Sequence, residues 1–148
     1  MEDFTSLEKR AIREKLVMFS SKLIGILYEY GYEWKNFKNI PEFLDCSEIV
    51  EGIYNHIGLK MPDGSQNQFD FTVPVSTYDI GDLVFFGRGG KSGQIYHSGM
   101  IYDKDTVIEC RGYDPKCSFE TGKVILRPLS KWMGFNNYCG IRSHPRLI

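Results

Sequence analysis

Several things are scarce in this sequence, and each shortage narrows the field. Of its 148 residues, 18 are Lys or Arg and 19 are Asp or Glu, for a net charge of −1. No run of Lys or Arg forms a basic stripe, so nucleic-acid binding by charge is not expected, nor strong adhesion to anionic membranes or polymers. No apolar stretch is long enough to insert into a bilayer; Leu23-Ile24-Gly25-Ile26-Leu27 falls far short. None of signal-peptide length follows the acidic Met1-Glu2-Asp3-Phe4, so synthesis in a cytoplasm is expected, with work outside requiring another exit. Only four cysteines occur, at 46, 110, 117 and 139, with no CxxC pair. That spacing fits neither a zinc site nor a disulfide framework; free thiols are the default, although a Cys110–Cys117 bridge is sterically conceivable. The Gly-rich segment 87–93 lacks the GxxxxGK[ST] spacing of a phosphate-binding loop and reads as a hairpin connection. Repeats, low-complexity tracts and linkers are absent too, so one domain over residues 1–148 is expected.

What is present has ordinary globular proportions, 42% apolar and 25% charged, with a high aromatic share of 14% that could fill a core or line a groove. Residues 6–30 read as helix, because Leu16, Phe19, Leu23, Ile26 and Leu27 recur at three- and four-residue steps. An irregular aromatic loop follows to residue 43. Asp45 then reads as an N-cap for a helix over 46–57, ended by Gly58, with Ile49, Val50, Ile53, Tyr54 and Ile57 facing inward. Residues 65–69 fit either a short helix or a loop. Strands are predicted at 83–86, 96–102, 106–111, 123–126 and 138–142. Helices followed by a meander of strands give an α+β fold, the N-terminal helices packed on a central antiparallel sheet.

Chemistry concentrates at two points. Cys46, in Leu44-Asp45-Cys46-Ser47, falls at the expected first turn of the second helix. Backbone N–H groups there lack partners and the macrodipole is positive, which favours a thiolate and could meet an oxyanion. A buried free cysteine would instead be a small hydrophobe. Asp45 opposes the thiolate unless it points away; as a cap it would face backbone, with substrate-amine binding as the other reading. His97 lies far along the chain in a predicted strand, while His56 is in the helix and His144 in a Pro-flanked tail. A helix-start cysteine with a strand histidine has the makings of a nucleophile and base, provided His97 is more than a satisfied sheet residue.

Other segments stand in order around these two. They are Gly31-Tyr32-Glu33-Trp34 before the cysteine, then Met61-Pro62-Asp63-Gly64-Ser65-Gln66-Asn67-Gln68, Gly81-Asp82-Leu83-Val84-Phe85-Phe86 and His97-Ser98-Gly99-Met100-Ile101-Tyr102. In this the chain resembles the NlpC family, papain-like cysteine peptidases and amidases of bacterial cell walls, over roughly residues 12–143. It departs from the family pattern at Glu48, where Gly is usual, and at Asp63, where Arg is common. The resemblance implies a papain-like fold, Cys46 as nucleophile and His97 as base, with no cofactor and no metal. The third, imidazole-orienting position falls on Glu109, unless that residue is merely an exposed strand position. Tyr32, Trp34, Asp45 and Ser47 become the residues expected near substrate or oxyanion, although Tyr32 and Trp34 could equally pack. The implied substrate is the peptide part of peptidoglycan, cut by an endopeptidase between D-glutamate and a diamino acid or by an amidase. A phage lysis or tail enzyme, or a secreted effector, is the expected setting, reaching the wall by non-Sec delivery with phage-tail or secretion-system components as partners. Two alternatives stand beside it: a cytosolic papain-like deamidase, acyltransferase or protease, and a catalytically silent fold used in assembly.

Overall fold

The computed structural model describes residues 2–148. Its first helix, α1 (Ser6–Ser21), starts at a capping box: the Thr5 hydroxyl accepts from the Glu8 N–H, and the Glu8 carboxylate accepts from the Thr5 N–H. Of the apolar stripe read from the sequence, Leu16, Phe19 and Leu23 are buried, whereas Leu27 is exposed. The helix stops well before residue 30, however. Gly25 adopts φ +92°, and the backbone beyond it pairs elsewhere: Gly25 N–H donates to the Val124 carbonyl at 3.0 Å, and Val124 N–H to that of Ile26 at 2.8 Å. Leu27–Tyr28 thus becomes a short strand, β1, pairing in parallel with β2 (Phe43–Leu44). Arg13 fastens α1 to the body through buried bonds to Asp82 (2.8 Å), Ser143 (3.2 Å) and the Leu147 carbonyl (3.0 Å).

The second helix, α2 (Glu48–His56), begins two residues later than expected. Its N-cap is Ser47, not Asp45, and Cys46 stands just outside the helix in the preceding turn. Ile49, Val50, Ile53 and Tyr54 are wholly buried. Residues 65–69 belong to a helix, α3 (Ser65–Phe71).

Six strands form the main sheet: β3 (Val73–Pro74), β4 (Leu83–Gly87), β5 (Ile95–Asp103), β6 (Thr106–Cys110), β7 (Val124–Pro128) and β8 (Tyr138–Ser143). They lie in the order β3-β8-β4-β5-β6-β7, every pair antiparallel. The Gly-rich segment links β4 to β5 as a hairpin. Because side chains alternate across a strand, Leu83, Phe85, Met100, Ile108 and Cys110 join the core under α1 and α2. Val84, Phe86, Ile101 and Val107 point to the other face, where a short helix absent from the sequence reading, α4 (Leu129–Met133), lays Trp132 across them. Gly99 makes this possible. A Cβ there would meet Val107 at 2.8 Å and Trp132 at 3.0 Å. The architecture is α+β with an antiparallel sheet, as expected. Among the described residues, no helix is long and apolar enough to cross a membrane.

Candidate active site

Cys46 and His97 line one cavity of about 400 Å³, together with Tyr28, Phe86, Tyr96, Arg111, Gly112, Asp114, Phe135 and Asn137. The cysteine reaches it from the turn between β2 and α2, its sulfur 3.9 Å from the Tyr96 carbonyl oxygen. All four cysteines are free thiols, and Cys46 is only partly buried.

The turn is built by Asp45. One of its carboxylate oxygens accepts from the Cys46 N–H, and the other accepts from the Gly31 N–H at 2.9 Å. Asp45 therefore faces backbone, tying the 31–34 loop to the cysteine turn rather than capping α2. Burial pushes the Cys46 thiol up to about 12, reinforced by the Asp45 charge and hydrogen bond; the N–H groups of Ser47 and Cys46 pull the other way and lose. The resting sulfur is a thiol, not the thiolate that a helix-start position suggested.

His97 projects from β5 onto the face covered by α4 and is 4% exposed. Its Nε2 lies 3.1 Å from Oε1 of Glu109, which is 0% exposed, so the exposed-strand reading of Glu109 is wrong. Burial alone would raise the Glu109 pKa. The His97 hydrogen bond and the charges of Arg111 and Arg127, joined by that of His97 once it is protonated at low pH, overcome it and bring the group to about 2. An ionised carboxylate can only accept, so Nε2 carries the imidazole proton and Nδ1 keeps its lone pair. Burial lowers the His97 pKa, opposed by Glu109 and assisted by the two arginines. Across the cavity they share, burial thus favours the neutral form of both the imidazole and the thiol.

Of the other expected residues, Trp34 is core: 4% exposed, stacked near Phe19, set edge-on to Phe37, and so close to Gly52 that no Cβ would fit there. Its indole is satisfied by the carbonyls of Asn36 and Asn39, both at 3.0 Å, so it is not a groove wall. Tyr32 packs edge-on to Phe43 and is not among the cavity's lining residues. Ser47 offers its carbonyl to Gln68 Nε2 at 3.0 Å. The tyrosines lining the cavity are Tyr28 and Tyr96; the Tyr28 phenol is raised to about 12 by burial and the nearby Asp45, Cys46 and Cys110. Reading residues 22–30 as helix concealed Tyr28. Arg111 was detectable, since residues two apart share a strand face and its Nε meets Glu109 Oε1 at 2.8 Å. Arg127 and Trp132, which hold the other Glu109 oxygen, arrive from β7 and α4 and left no local signal. Glu48, Glu51 and Asp63 form the only group of three or more acidic, His or Cys side chains among the described residues whose ligand atoms all lie within 4.8 Å of one another.

The profile of the NlpC/P60 family matches residues 25–125. No curated protein matches the sequence. An NlpC/P60 family protein from Bacillus cereus superposes with a TM-score of 0.72 at 22% identity, covering 89% of this chain and 40% of that one. The peptidoglycan hydrolase RipB from Mycobacterium tuberculosis gives 0.69 at 20% identity, covering 95% of this chain and 67% of its own. RipA, the Resuscitation Promoting Factor Interacting protein, mutated at a glutamate, gives 0.70 at 18% identity over 97% of this chain and 66% of RipA. Two other RipA structures are mutated at a cysteine and at a histidine. The chain thus spans about two fifths of the Bacillus protein and has the papain-like fold these structures share.

Proposed function

The chain belongs to the NlpC/P60 family, and from that premise we propose that it is a cysteine hydrolase cutting an amide bond in the stem peptide of peptidoglycan, as an endopeptidase or amidase. One observation carries the reading: a thiol and an imidazole line the same cavity, and the imidazole is held by a buried carboxylate. Two comparisons support it. RipB, a peptidoglycan hydrolase, has the same fold. RipA has been altered at a cysteine, a histidine and a glutamate in the chain order found here, the last two twelve positions apart in both proteins.

In this mechanism Nδ1 of His97 takes the Cys46 proton as the sulfur attacks the amide carbonyl, whose oxygen becomes the oxyanion. Because the resting pair is neutral, proton transfer accompanies attack. The Ser47 N–H, already directed at the sulfur, is a donor within reach of that oxyanion. The imidazolium then returns the proton to the leaving nitrogen as the C–N bond breaks, leaving a thioester. Water, deprotonated by His97, attacks the thioester and releases the acid and the thiol. Glu109 stays ionised throughout and holds the ring and its tautomer.

Purified peptidoglycan digested with the protein and analysed by mass spectrometry should show cleaved stem peptides, with the rate reduced about 10³-fold or more in Cys46→Ala. Walls left intact by the unaltered protein would refute the substrate assignment.

A further inference from the structure

Arg127 is 2% exposed, and its three guanidinium nitrogens, with Glu51 Oε2, are the buried side-chain atoms that lack a hydrogen-bond partner among the described residues. Nη1 and Nη2 carry no hydrogen bond, while Nε lies 2.9 Å from Glu109 Oε2, an ion-pair contact rather than an aligned hydrogen bond. Around it stand the rings of Phe119 at 4.4 Å, Trp132 at 5.1 Å, Phe135 at 5.4 Å and Phe86 at 5.8 Å. Buried orphan donors are rare and costly. A fold that needed only volume here would do as well or better with an apolar side chain. The charge is retained, and the one charged partner it touches is the carboxylate holding His97.

We propose that Arg127 is a positioning residue of this site: caged by aromatic rings and pinned to Oε2 of Glu109, it fixes the carboxylate that orients His97 and opposes a second positive charge on the imidazole. This rests on the hydrolase reading for its purpose, but not for its test. With Arg127 and the Trp132 indole on Oε2, only Oε1 is left for His97 and Arg111, so the carboxylate plane and the ring it steers have one arrangement. The charged and titratable groups facing His97 are Glu109 from β6, Arg111 just beyond it, Arg127 from β7 and, around the cavity, Cys46, Tyr28, Tyr96 and Asp114. From β4 and α4 come only Phe86 and Trp132. At Glu109 itself one carboxylate meets two guanidiniums, a local excess of positive charge that an imidazolium would increase. The arrangement thereby favours the neutral imidazole, the form able to accept the Cys46 proton.

The test follows the imidazole directly, by NMR titration of the labelled full chain, with His97 assigned through His97→Gln. In the unaltered protein the His97 midpoint should fall below the ordinary value near 6.5. Arg127→Met, which suits an aromatic cage, should raise that midpoint by about one unit, and Arg127→Lys, which keeps the charge, should leave it near the parent value. The acid limb of wall hydrolysis should move with it. An unmoved midpoint in Arg127→Met, or an equal shift in Arg127→Lys, overturns the proposal. Should Arg127→Met fail to fold, a midpoint at or above 6.5 in the unaltered protein overturns it by itself. Intact walls with the predicted midpoints would defeat the hydrolase reading alone.

Discussion

Glu109 and the pair Glu48–Glu51 are all carboxylates drawn into the protein, yet they end in opposite states. Burial pushes each upward. At Glu109 the His97 hydrogen bond and two guanidiniums reverse that push and leave the group near 2. At Glu48 and Glu51 the neighbours are carboxylates, including Asp63, and the groups rise to about 7 and about 8. Depth sets the size of the electrostatic problem, and the partners decide its answer. Given cations, a buried carboxylate becomes a permanent charge, which is what a residue steering an imidazole requires. Given other acids, it becomes a group that is protonated near neutral pH. Both departures from the NlpC pattern, Glu48 for Gly and Asp63 for Arg, fall in the second cluster, adding two acids and removing a cation.

The contrast can be broken most forcefully at Glu109. Glu109→Gln leaves two guanidiniums, one of them fully buried, without their counter-ion, and should cost about 3–5 kcal/mol of stability in denaturant titration. Activity should fall and the acid limb of the pH–rate profile should move. A loss below about 1 kcal/mol would mean that the cluster is not the electrostatic unit described. In the unaltered protein, a depressed carboxyl contributes stability in full above its ordinary pKa of 4.5, and that contribution should disappear as pH falls from there toward 2.

A smaller effect is expected from Trp132→Phe. It keeps the ring over Phe86 and Gly99 but removes the indole N–H from Glu109 Oε2. A hydrogen bond to a buried charge is worth about 1.5–3 kcal/mol, and that loss should appear in the melting temperature. A stability unchanged within error would shift the burden on Oε2 to Arg127 alone.

The smallest effect lies in the other cluster and has the opposite sign. A carboxyl raised by folding stabilises the protein while protonated, fully below its ordinary pKa of 4.5, and that stability drains away as pH rises through 7 and 8. Glu51→Gln should therefore stabilise the fold at pH 8, by about 1 kcal/mol after allowance for its partial exposure, and make little difference at pH 4. A destabilised variant at pH 8 would show that the ionised group has an attractive partner.

Much of the frame was legible in the sequence because it is written locally. The stripe through Leu16, Phe19 and Leu23, the inward face of α2 and the alternation along β4–β6 are periodic patterns that survive in the fold. Boundaries were read less well. Apolar spacing continues through Ile26 and Leu27, and only the pairing of residues 25–28 with Leu44, Gly122 and Val124 shows why the helix gives way to a strand. With that boundary went Tyr28, and Tyr32 took its place in the sequence reading. Trp34 was misread for a related cause. Proximity of an aromatic residue to a cysteine in sequence does not fix which way it faces, and the space left by Gly52 lets this one pack inward.

What the chain determined by itself is the inventory and its order: a cysteine in a short turn ahead of an amphipathic helix, a histidine and a glutamate on successive strands, and an α+β frame to carry them. Tertiary structure alone decided their charge states. Protonation is set by how deeply a group is desolvated and by which charges lie within a few ångströms. For Glu109 and His97 those charges include Arg127, on strand β7 beside β6, which reaches Glu109 only once the sheet has assembled and Trp132 has covered its face.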